Sequence, residues 1–423
     1  MGVKIMPDTK YTEFFFNIEA KYITKEEFDK ESNTYILSVQ LPAKEHSCPE
    51  CSTPVTQTKD YRVRKVLLGY QESTKVIAHY RQRRYRCPNC GKAFSEYNPF
   101  VGHYQHISKH CKYNLMEAFG QATNFKSIAQ TYHLSITTVI RYFSAIKIGL
   151  PKKLPKVLSI DEFKGNAGHH KYQVALNDPE SKTTIDILPT RDTMSLILYF
   201  AQFSRAARKA VKFVVMDMSN QFRYVIKLLF PHATIVGDRF HISRVVMWAM
   251  ERVRKQEQKN LSALSRMFKS NKRLLRKNRD KLKEHEKIKL AEILRKSPNI
   301  RKAYILKCAF LRLKRAIGKE NIQKGLHKWL QLVKASGLKE FQPILNSFKS
   351  WEEIIIQGFL LPYSNGFTEG VNNKIKVLKR ISYGLPNFDR LRVRILILNT
   401  KKNDEKSSHR SIMAKRCSPQ HLT

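Results

Sequence analysis

Three acidic residues lie at positions where a folded chain could gather them around metal ions. Asp161 and Asp217 lie in or just after short apolar runs typical of strands, and Glu369 stands near the start of a late amphipathic helix. Carboxylates from separate elements can hold two cations ~3.5–4 Å apart, the arrangement used for phosphoryl transfer. Because Mg²⁺ prefers oxygen ligands, it is the expected metal. The pattern predicts a site with two Mg²⁺ ions held by Asp161, Asp217 and Glu369.

The rest of the chain is strongly basic, which indicates a polyanionic partner. Its 423 residues include 78 Lys and Arg against 35 Asp and Glu, a formal net charge of +43. This charge is spread over many segments, which favours nucleic acid over a membrane surface. No apolar run approaches the ~18 residues of a membrane span, and the N-terminus lacks the apolar region of a signal peptide. We therefore expect a cytoplasmic protein without a membrane partner.

The cysteines predict a metal site of a different kind. Cys48 and Cys51 form one CxxC pair, and Cys87 and Cys90 form another. Without a secretory signal such pairs are typical of structural Zn²⁺, and four thiolates leave no open position for catalysis. The long segment between the pairs has the pattern of two strands, so we expect a zinc ribbon over residues 46–100. Its second strand would offer a phosphate-binding edge formed by Arg81, Arg83, Arg84 and Arg86.

The next segment, residues 108–148, has the spacing of a helix-turn-helix. Ser135 is a suitable N-cap for the second helix, and His133 occupies the turn position where glycine is common. The major groove would then face Thr137, Thr138 and Arg141. An ordinary helical hairpin is the alternative. The expected shared core consists of Ile128, Ala129, Leu134, Val139 and Phe143.

Residues 156–241 predict three strands, a helix, a strand, a helix and a strand. This is the order of a ribonuclease-H-like core, in which the first and fourth strands are neighbours, so Asp161 and Asp217 would meet at one edge. Glu369 would arrive on a helix within the returning segment, 362–400. One face of that helix continues with residues suited to a DNA backbone, namely Asn373, Lys376 and Arg380.

Asp238 and His241 follow the fifth predicted strand and are candidates for an accessory role. We expect them to support the metal ligands or to contact DNA near the scissile phosphate. Asp238 as the second metal ligand in place of Asp217 is the main alternative, and Glu162 is another. His241 is equally suited to capping or packing the next helix.

Residues 242–361 predict a cationic, all-α insertion able to clamp DNA, with Trp248, Trp329 and Trp351 as core anchors. An N-terminal segment, 1–45, and a basic tail, 401–423, complete the chain. The fold class is therefore multidomain α/β. A zinc ribbon and a helix-turn-helix precede a ribonuclease-H-like mixed-sheet core with a large all-α insertion.

These motifs resemble those of bacterial DDE transposases of the insertion-sequence L-three family. The matching stretches are residues 159–163, 215–219, 238–241 and 365–376, and the similarity extends over roughly 48–399. The resemblance implies a catalytic triad of Asp161, Asp217 and Glu369. It also implies an enzyme that binds the terminal inverted repeats of its own insertion sequence, cuts there, and joins the freed 3′-hydroxyls to target DNA.

Bringing two DNA ends together would make the protein at least a homodimer on DNA, within the bacterial nucleoid. A non-catalytic DNA-binding regulator derived from a transposase is the alternative function. A structure-specific nuclease that cuts without joining is a second enzymatic alternative.

Overall fold

The computed structural model describes residues 18–71, 74–102 and 105–399. The chain forms two compact units, one reaching to Gly149 with Arg380–Tyr383, the other comprising Leu150–Lys379 and the segment from Gly384. The first 17 residues of the predicted N-terminal segment and the predicted tail, 401–423, lie outside the described residues. Within the described ranges, every helix is too short or too polar to cross a membrane.

The first unit is built on a five-stranded sheet dominated by one long hairpin. Strand β5 pairs antiparallel with β6, and the two strands the sequence predicts between the CxxC pairs lie within them. Strand β2 joins β6 in parallel, and β1 and β7 complete the sheet. A separate short pair, β3 and β4, lies beside the first CxxC turn. The strands are β1 Ile23–Asp29, β2 Thr34–Val39, β3 His46–Ser47, β4 Pro54–Val55, β5 Thr58–Gln71, β6 Thr74–Arg86 and β7 Ala93–Ser95.

Three helices follow in the same unit: α1 Lys109–Phe119, α2 Phe125–Thr131 and α3 Ile136–Ser144. Ser135 is the N-cap of α3, and its hydroxyl accepts a hydrogen bond from the Thr138 N–H, as the sequence predicts. His133 has a φ of 42°, the left-handed conformation that favours glycine. Of the expected core residues, Leu134 is half-buried and the others are buried, namely Ile128, Ala129, Val139 and Phe143.

The second unit contains a mixed five-stranded sheet in the order β10-β9-β8-β11-β12. The first three strands pair antiparallel, whereas β8, β11 and β12 run parallel to one another. The first and fourth strands are thus neighbours, as the sequence predicts. The strands are β8 Val157–Phe163, β9 Gln173–Asp178, β10 Thr183–Leu188, β11 Phe213–Met216 and β12 Thr234–Gly237.

Helices cover this sheet because its strands are apolar on both faces. Leu158, Ile160 and Val214 pack into the main core, whereas Val157, Val215 and Val236 form a second apolar cluster. The helices between the strands are α4 Thr193–Ala201, α5 Arg205–Ala210 and α6 Asn220–Leu229. Those that follow the insertion are α15 Gly366–Ile381 and α16 Phe388–Asn399.

The segment between β12 and α15 is helical, as predicted. Its helices are α7 Arg239–Asn260, α8 Ser265–Ser270, α9 Lys272–Arg276, α10 Glu284–Lys296, α11 Pro298–Leu313, α12 Lys319–Ser336, α13 Gln342–Ser350 and α14 Glu352–Leu360. Trp329 and Trp351 are buried core residues, but Trp248 is 53% exposed, so its prediction as a core anchor is wrong. The physical reason is helical phase, because Trp248 points away from the face of α7 that carries Val246 and Met250.

The insertion packs back against the sheet at two glycines in close contact. A Cβ at Gly358, on α14, would clash with the carbonyl of Gly237 at the end of β12. Arg239 reinforces this junction, since its guanidinium donates to the carbonyls of Gly358, Phe359 and Leu361. The backbones of α14 and β12 can therefore approach only because both positions lack a side chain.

Candidate functional site

The ends of parallel strands bring the aspartates to one edge of the sheet. Strand β11 ends at Met216 and is paired there with the last residue of β12, so Asp217 and Asp238 follow at the same level. The Asp238 N–H also donates to the Met216 carbonyl at 2.9 Å. The acidic side chains are therefore positioned by backbone pairing.

The neighbouring strand supplies the first predicted ligand. The register of β8 and β11 pairs Ser159 with Val215. Asp161 and Asp217 each lie two residues beyond that pair, which places them beside each other at the same sheet edge. The predicted meeting of these two residues follows directly from the register.

The two aspartates occupy an environment that disfavours their negative charge. Burial raises the pKa of Asp161 to about 7, and the charge of Asp217 adds to this effect. Burial, together with the charge of Glu162, raises the pKa of Asp217 to about 6. The buried Oδ1 atom of Asp217 has no hydrogen-bond partner. A bound cation would compensate both the charge and the missing partner, so these residues fit a Mg²⁺ site.

Helix α15, which carries Glu369, is fixed to the sheet by a buried chain of hydrogen bonds. The Asn177 amide donates to the Thr368 hydroxyl oxygen at 3.2 Å, and the Thr368 and Ser159 hydroxyls lie 2.7 Å apart. Ser159 donates to Asn365 Oδ1 at 2.7 Å, so Thr368 must be the donor to Ser159. All four side chains are buried. We call this set the Ser159 relay; it joins β9, β8 and the start of α15.

A second contact links the same helix to the first aspartate. The Asn372 amide donates to Asp161 Oδ2 at 2.9 Å. Glu369 is exposed on this helix, as are Asn373, Lys376 and Arg380. The stripe predicted on α15 therefore does face solvent. Sequence reasoning missed Asn372 and the Ser159 relay, although the position of Ser159 two residues before Asp161 was an available signal.

Asp238 has a different environment from Asp217. It is buried and is the N-cap of α7, where its carboxylate accepts hydrogen bonds from the backbone N–H groups of Phe240 and His241 at 3.3 and 3.4 Å. Burial, followed by the charge of Arg244, lowers the pKa of His241. The carboxylate of Asp238 thus already has donors, whereas Asp217 Oδ1 has none, which favours Asp217 as the ligand.

Glu162, the remaining alternative ligand, is paired with an arginine. Its Oε2 atom lies 2.7 Å from Arg191 Nη1, and the Arg191 guanidinium also stacks over the Tyr172 ring at 4.8 Å. Because this cation compensates its charge, Glu162 has less need of a metal than Asp217. Arg191 is a residue near the site that the sequence did not reveal.

The carboxylates are adjacent without forming one closed coordination shell. Across the described ranges, the only set of three or more candidate metal ligands with all ligand atoms within 4.8 Å of one another is the cysteine cluster. A pair of ions ~3.5–4 Å apart spans more than one shell, so its outer ligands need not approach each other so closely.

The four cysteines of the two CxxC pairs converge in the first unit. The Cys51 Sγ atom lies 3.5 Å from the Sγ atoms of Cys87 and Cys90, and the Sγ atoms of Cys48 and Cys90 are 3.6 Å apart. Zn–S bonds of ~2.3 Å in a tetrahedron require sulfur separations only slightly longer than these. The donor set therefore fits structural zinc, and the packing of Val55 and Tyr85 on the cysteines completes a small core.

Comparison with known protein families shows to which family the chain belongs. A match to the family of ISL3-type transposases spans residues 158–395, more than half of the sequence. The chain belongs to this transposase family. A second match, to the zinc-finger of transposases IS204, IS1001, IS1096 and IS1165, spans residues 44–90 and contains all four cysteines. The resemblance predicted from the motifs is confirmed, and the ribbon match together with the cysteine cluster supports structural zinc.

Individual relatives carry the same description. The transposase for insertion sequence element IS1001 of Bordetella parapertussis is 26% identical over 359 residues, covering 82% of this chain and 88% of the relative. The transposase for IS1557 of Mycobacterium tuberculosis (strain CDC 1551 / Oshkosh) is 24% identical over 243 residues, covering 51% and 54%. The solved Drosophila P element transposase strand transfer complex aligns with a TM-score of 0.38 at 12% identity, covering 75% of this chain and 95% of that chain.

The arginines of the ribbon differ in their accessibility. Arg83 is buried and its Nη1 lies 3.2 Å from Glu96 Oε2, so its prediction as part of an exposed phosphate-binding edge is wrong. The reason is that Glu96, which follows β7, supplies a buried carboxylate next to β6. Arg81 is exposed and stacks over Tyr61 at 4.0 Å, whereas Arg84 is half-exposed and pairs with Asp60 at 3.5 Å. Arg86 is also exposed.

The residues predicted to face the major groove also differ in their accessibility. Thr137 and Arg141 are exposed on α3. Thr138 is half-buried, and its hydroxyl oxygen accepts a hydrogen bond from Ser135 at 2.9 Å. Thr138 therefore contributes to the helix N-terminus, which leaves Thr137 and Arg141 as the more accessible pair.

The Ser159 relay makes a prediction about Thr368. Thr368→Val removes the hydroxyl that bridges Asn177 and Ser159 while keeping the side-chain volume. We expect a loss of about 1–3 kcal/mol in the free energy of unfolding, because buried polar partners are left unpaired. Thr368→Ser, which keeps the hydroxyl, is the control and should lose much less. Chemical denaturation measures both, and equal losses in the two variants would contradict the relay.

Zinc content tests the cysteine cluster. The double variant Cys48→Ser/Cys87→Ser should lose its zinc and the folded ribbon, because two thiolates cannot hold the ion in a closed site. Atomic absorption on the purified protein should give one zinc per wild-type chain. Cys308→Ser is the matched control, since Cys308 lies outside the cluster, and should retain full occupancy. Loss of zinc from the control alone would overturn the assignment.

The raised pKa of Asp161 predicts a pH-dependent stability. Its folded-state pKa of about 7 lies above the ordinary 3.8, so the metal-free protein should lose stability as pH rises from about 4 to 7. Asp161→Asn removes this penalty and should raise the melting temperature at pH 8 but not at pH 4. Each kcal/mol of relief corresponds to about 2–4 °C for a unit of this size.

Thermal melts in Mg²⁺-free buffer measure this effect. Glu180→Gln, at an exposed glutamate in the turn before β10, is the control and should melt as the wild type at both pH values. A lower melting temperature for Asp161→Asn at pH 8 would show that the carboxylate is not destabilising.

Proposed function

We propose that this transposase-family chain is an active DDE enzyme that binds the terminal inverted repeats of its insertion sequence and catalyses Mg²⁺-dependent cleavage and strand transfer. The observation that carries the proposal is the unpartnered Asp217 Oδ1 beside Asp161 at the end of parallel strands. Glu369 lies on the helix fixed to the same strand. The sheet order supports a ribonuclease-H-like core over 156–241 and 362–400.

Each residue of the site would have a distinct role. Asp161, Asp217 and Glu369 would hold two Mg²⁺ ions, which supply activation of the attacking oxygen and stabilisation of the leaving oxygen. Asn372 orients Asp161 through its amide. Asp238 fixes the start of α7 and, with it, the position of His241.

The basic surfaces near the site would bind the DNA backbone. Asn373 and Lys376 are exposed on the same helix as Glu369, so they can contact phosphates next to the reacting one. The helical insertion, 242–361, would add further phosphate contacts through its many cationic side chains.

Recognition of the element ends would belong to the first unit. We propose that the zinc ribbon, 46–100, contacts phosphates through Arg81 and Arg84. The helices of 108–148 would act as a helix-turn-helix, with Thr137 and Arg141 facing base edges. Synapsis of two ends would require at least a homodimer on DNA, and the site of action would be the bacterial nucleoid in the cytoplasm.

A catalytic test uses Glu369→Gln, which keeps size and hydrogen bonding but removes the charge. On DNA carrying the two ends of its own element, with Mg²⁺, the variant should lose cleavage and joining by at least about 100-fold, because several kcal/mol of charge stabilisation is lost. Binding to the same DNA should remain. Glu180→Gln, the same change at another exposed glutamate, should retain full activity.

A second pair of variants separates the candidates for the second ligand. Asp217→Ala should abolish both steps, while Asp238→Ala should keep activity to the extent that α7 remains capped. The reverse result would assign the metal to Asp238. A wild-type protein that binds the ends but never cuts would indicate a regulator, and cleavage without joined products would indicate a nuclease.

A further inference from the structure

Helix α7 carries a strip of aromatic and cationic side chains outside its buried face, and both aromatic rings of the strip are exposed. Phe240, Arg244 and Trp248 are spaced by four residues, so they share one face of the helix. Phe240 is 51% exposed and Trp248 is 53% exposed. The buried face of α7, with Val246 and Met250, lies on the opposite side. We call Phe240, Arg244 and Trp248 the stacking strip.

The Arg244 side chain lies against both rings of the stacking strip. The Arg244 guanidinium lies 4.8 Å from the centroid of the Trp248 ring and 5.6 Å from that of Phe240. Its buried Nε atom has no hydrogen-bond partner. The arginine is therefore held between two aromatic rings while part of its hydrogen-bonding capacity stays unused, which is a suitable arrangement for a ligand with both flat faces and negative charge.

The strip begins at the acidic edge of the sheet. Phe240 lies two residues after Asp238, and α7 runs away from that edge. The charge of Arg244 opposes the effect of burial on the pKa of Asp217, so the two groups interact electrostatically. A DNA strand bound at Asp217 could thus continue along the strip without leaving the protein surface.

We propose that the stacking strip binds unpaired nucleobases of a DNA strand next to the position of cleavage. The proposal rests on the proposed function, which places DNA at Asp217. The Cα atoms of Phe240 and Trp248 lie about 12 Å apart along the helix axis, and both rings approach Arg244 between them, so the strip can accommodate two nucleotides of one strand. Their rings would stack on the bases while Arg244 neutralises the phosphate between them. Paired bases cannot use the strip, because their faces are covered by neighbours within the duplex.

The chain offers a local optical probe of this contact. It has three tryptophans, of which Trp329 and Trp351 are buried and Trp248 is exposed. Stacking of a base on Trp248 should therefore quench its fluorescence. In full-length wild-type protein without Mg²⁺, we expect a single-stranded 20-nucleotide oligothymidine to quench the emission and a duplex of equal length to leave it almost unchanged.

Affinity measurements with substitutions then assign the effect. Trp248→Ala should weaken binding of the oligothymidine about ten-fold or more at constant salt, and Trp248→Phe should retain most of the affinity. Tyr224→Ala is the matched control, because Tyr224 is 58% exposed on α6 outside the strip. It should bind and be quenched as the wild type.

Several results would overturn the proposal. These are unchanged affinity in Trp248→Ala, equal loss in Tyr224→Ala, or equal quenching by duplex and single strand. A change from dimer to monomer in Trp248→Ala without DNA would assign the strip to a second copy of the chain. Quenching needs no cleavage, so an inactive wild type that still shows it refutes the catalytic proposal and not this contact.

Discussion

The desolvation of two neighbouring aspartates is the constraint on which the second unit depends. Parallel pairing of β8 and β11 forces Asp161 and Asp217 to the same edge, where burial raises the pKa of both carboxyl groups. Such an arrangement makes the metal-free protein lose stability as the pH rises from about 4 to 7. The surrounding apolar strands and helices must therefore supply enough stability to offset this cost.

The Ser159 relay explains how a residue from late in the chain reaches this edge. Helix α15 is attached to β8 by buried hydroxyl and amide groups, and a one-residue rotation of the helix would break every bond in the relay. Directional hydrogen bonds fix the phase of a helix more tightly than apolar packing does. Glu369 can therefore be exposed and still be held in a defined position.

The sequence predicted the features that depend on local pattern. The strand that carries Asp161, the strand that ends just before Asp217, the Ser135 N-cap and the cysteine cluster all follow from local pattern and ligand chemistry. Predictions from the sequence were wrong where a partner distant in sequence determines the environment of a side chain. Nothing near Arg83 in the sequence indicates that Glu96 will pair with it in the interior. The prediction that Trp248 is a core anchor was wrong for a related reason, since residue type alone does not show which face of a helix is buried. The partners of Asn372 and Arg191 likewise become visible only when the sheet edge is assembled.

The contact between Gly237 and Gly358 has a consequence for how such proteins change over evolutionary time. The chain leaves the sheet after Gly237 and packs back against it at Gly358, and the helices between these points share one hydrophobic core with the sheet. Changes within the insertion must therefore preserve the apolar side chains that it contributes to this shared core. A single methyl group at either glycine would push the helical segment away from the mixed sheet and loosen the core that the two share.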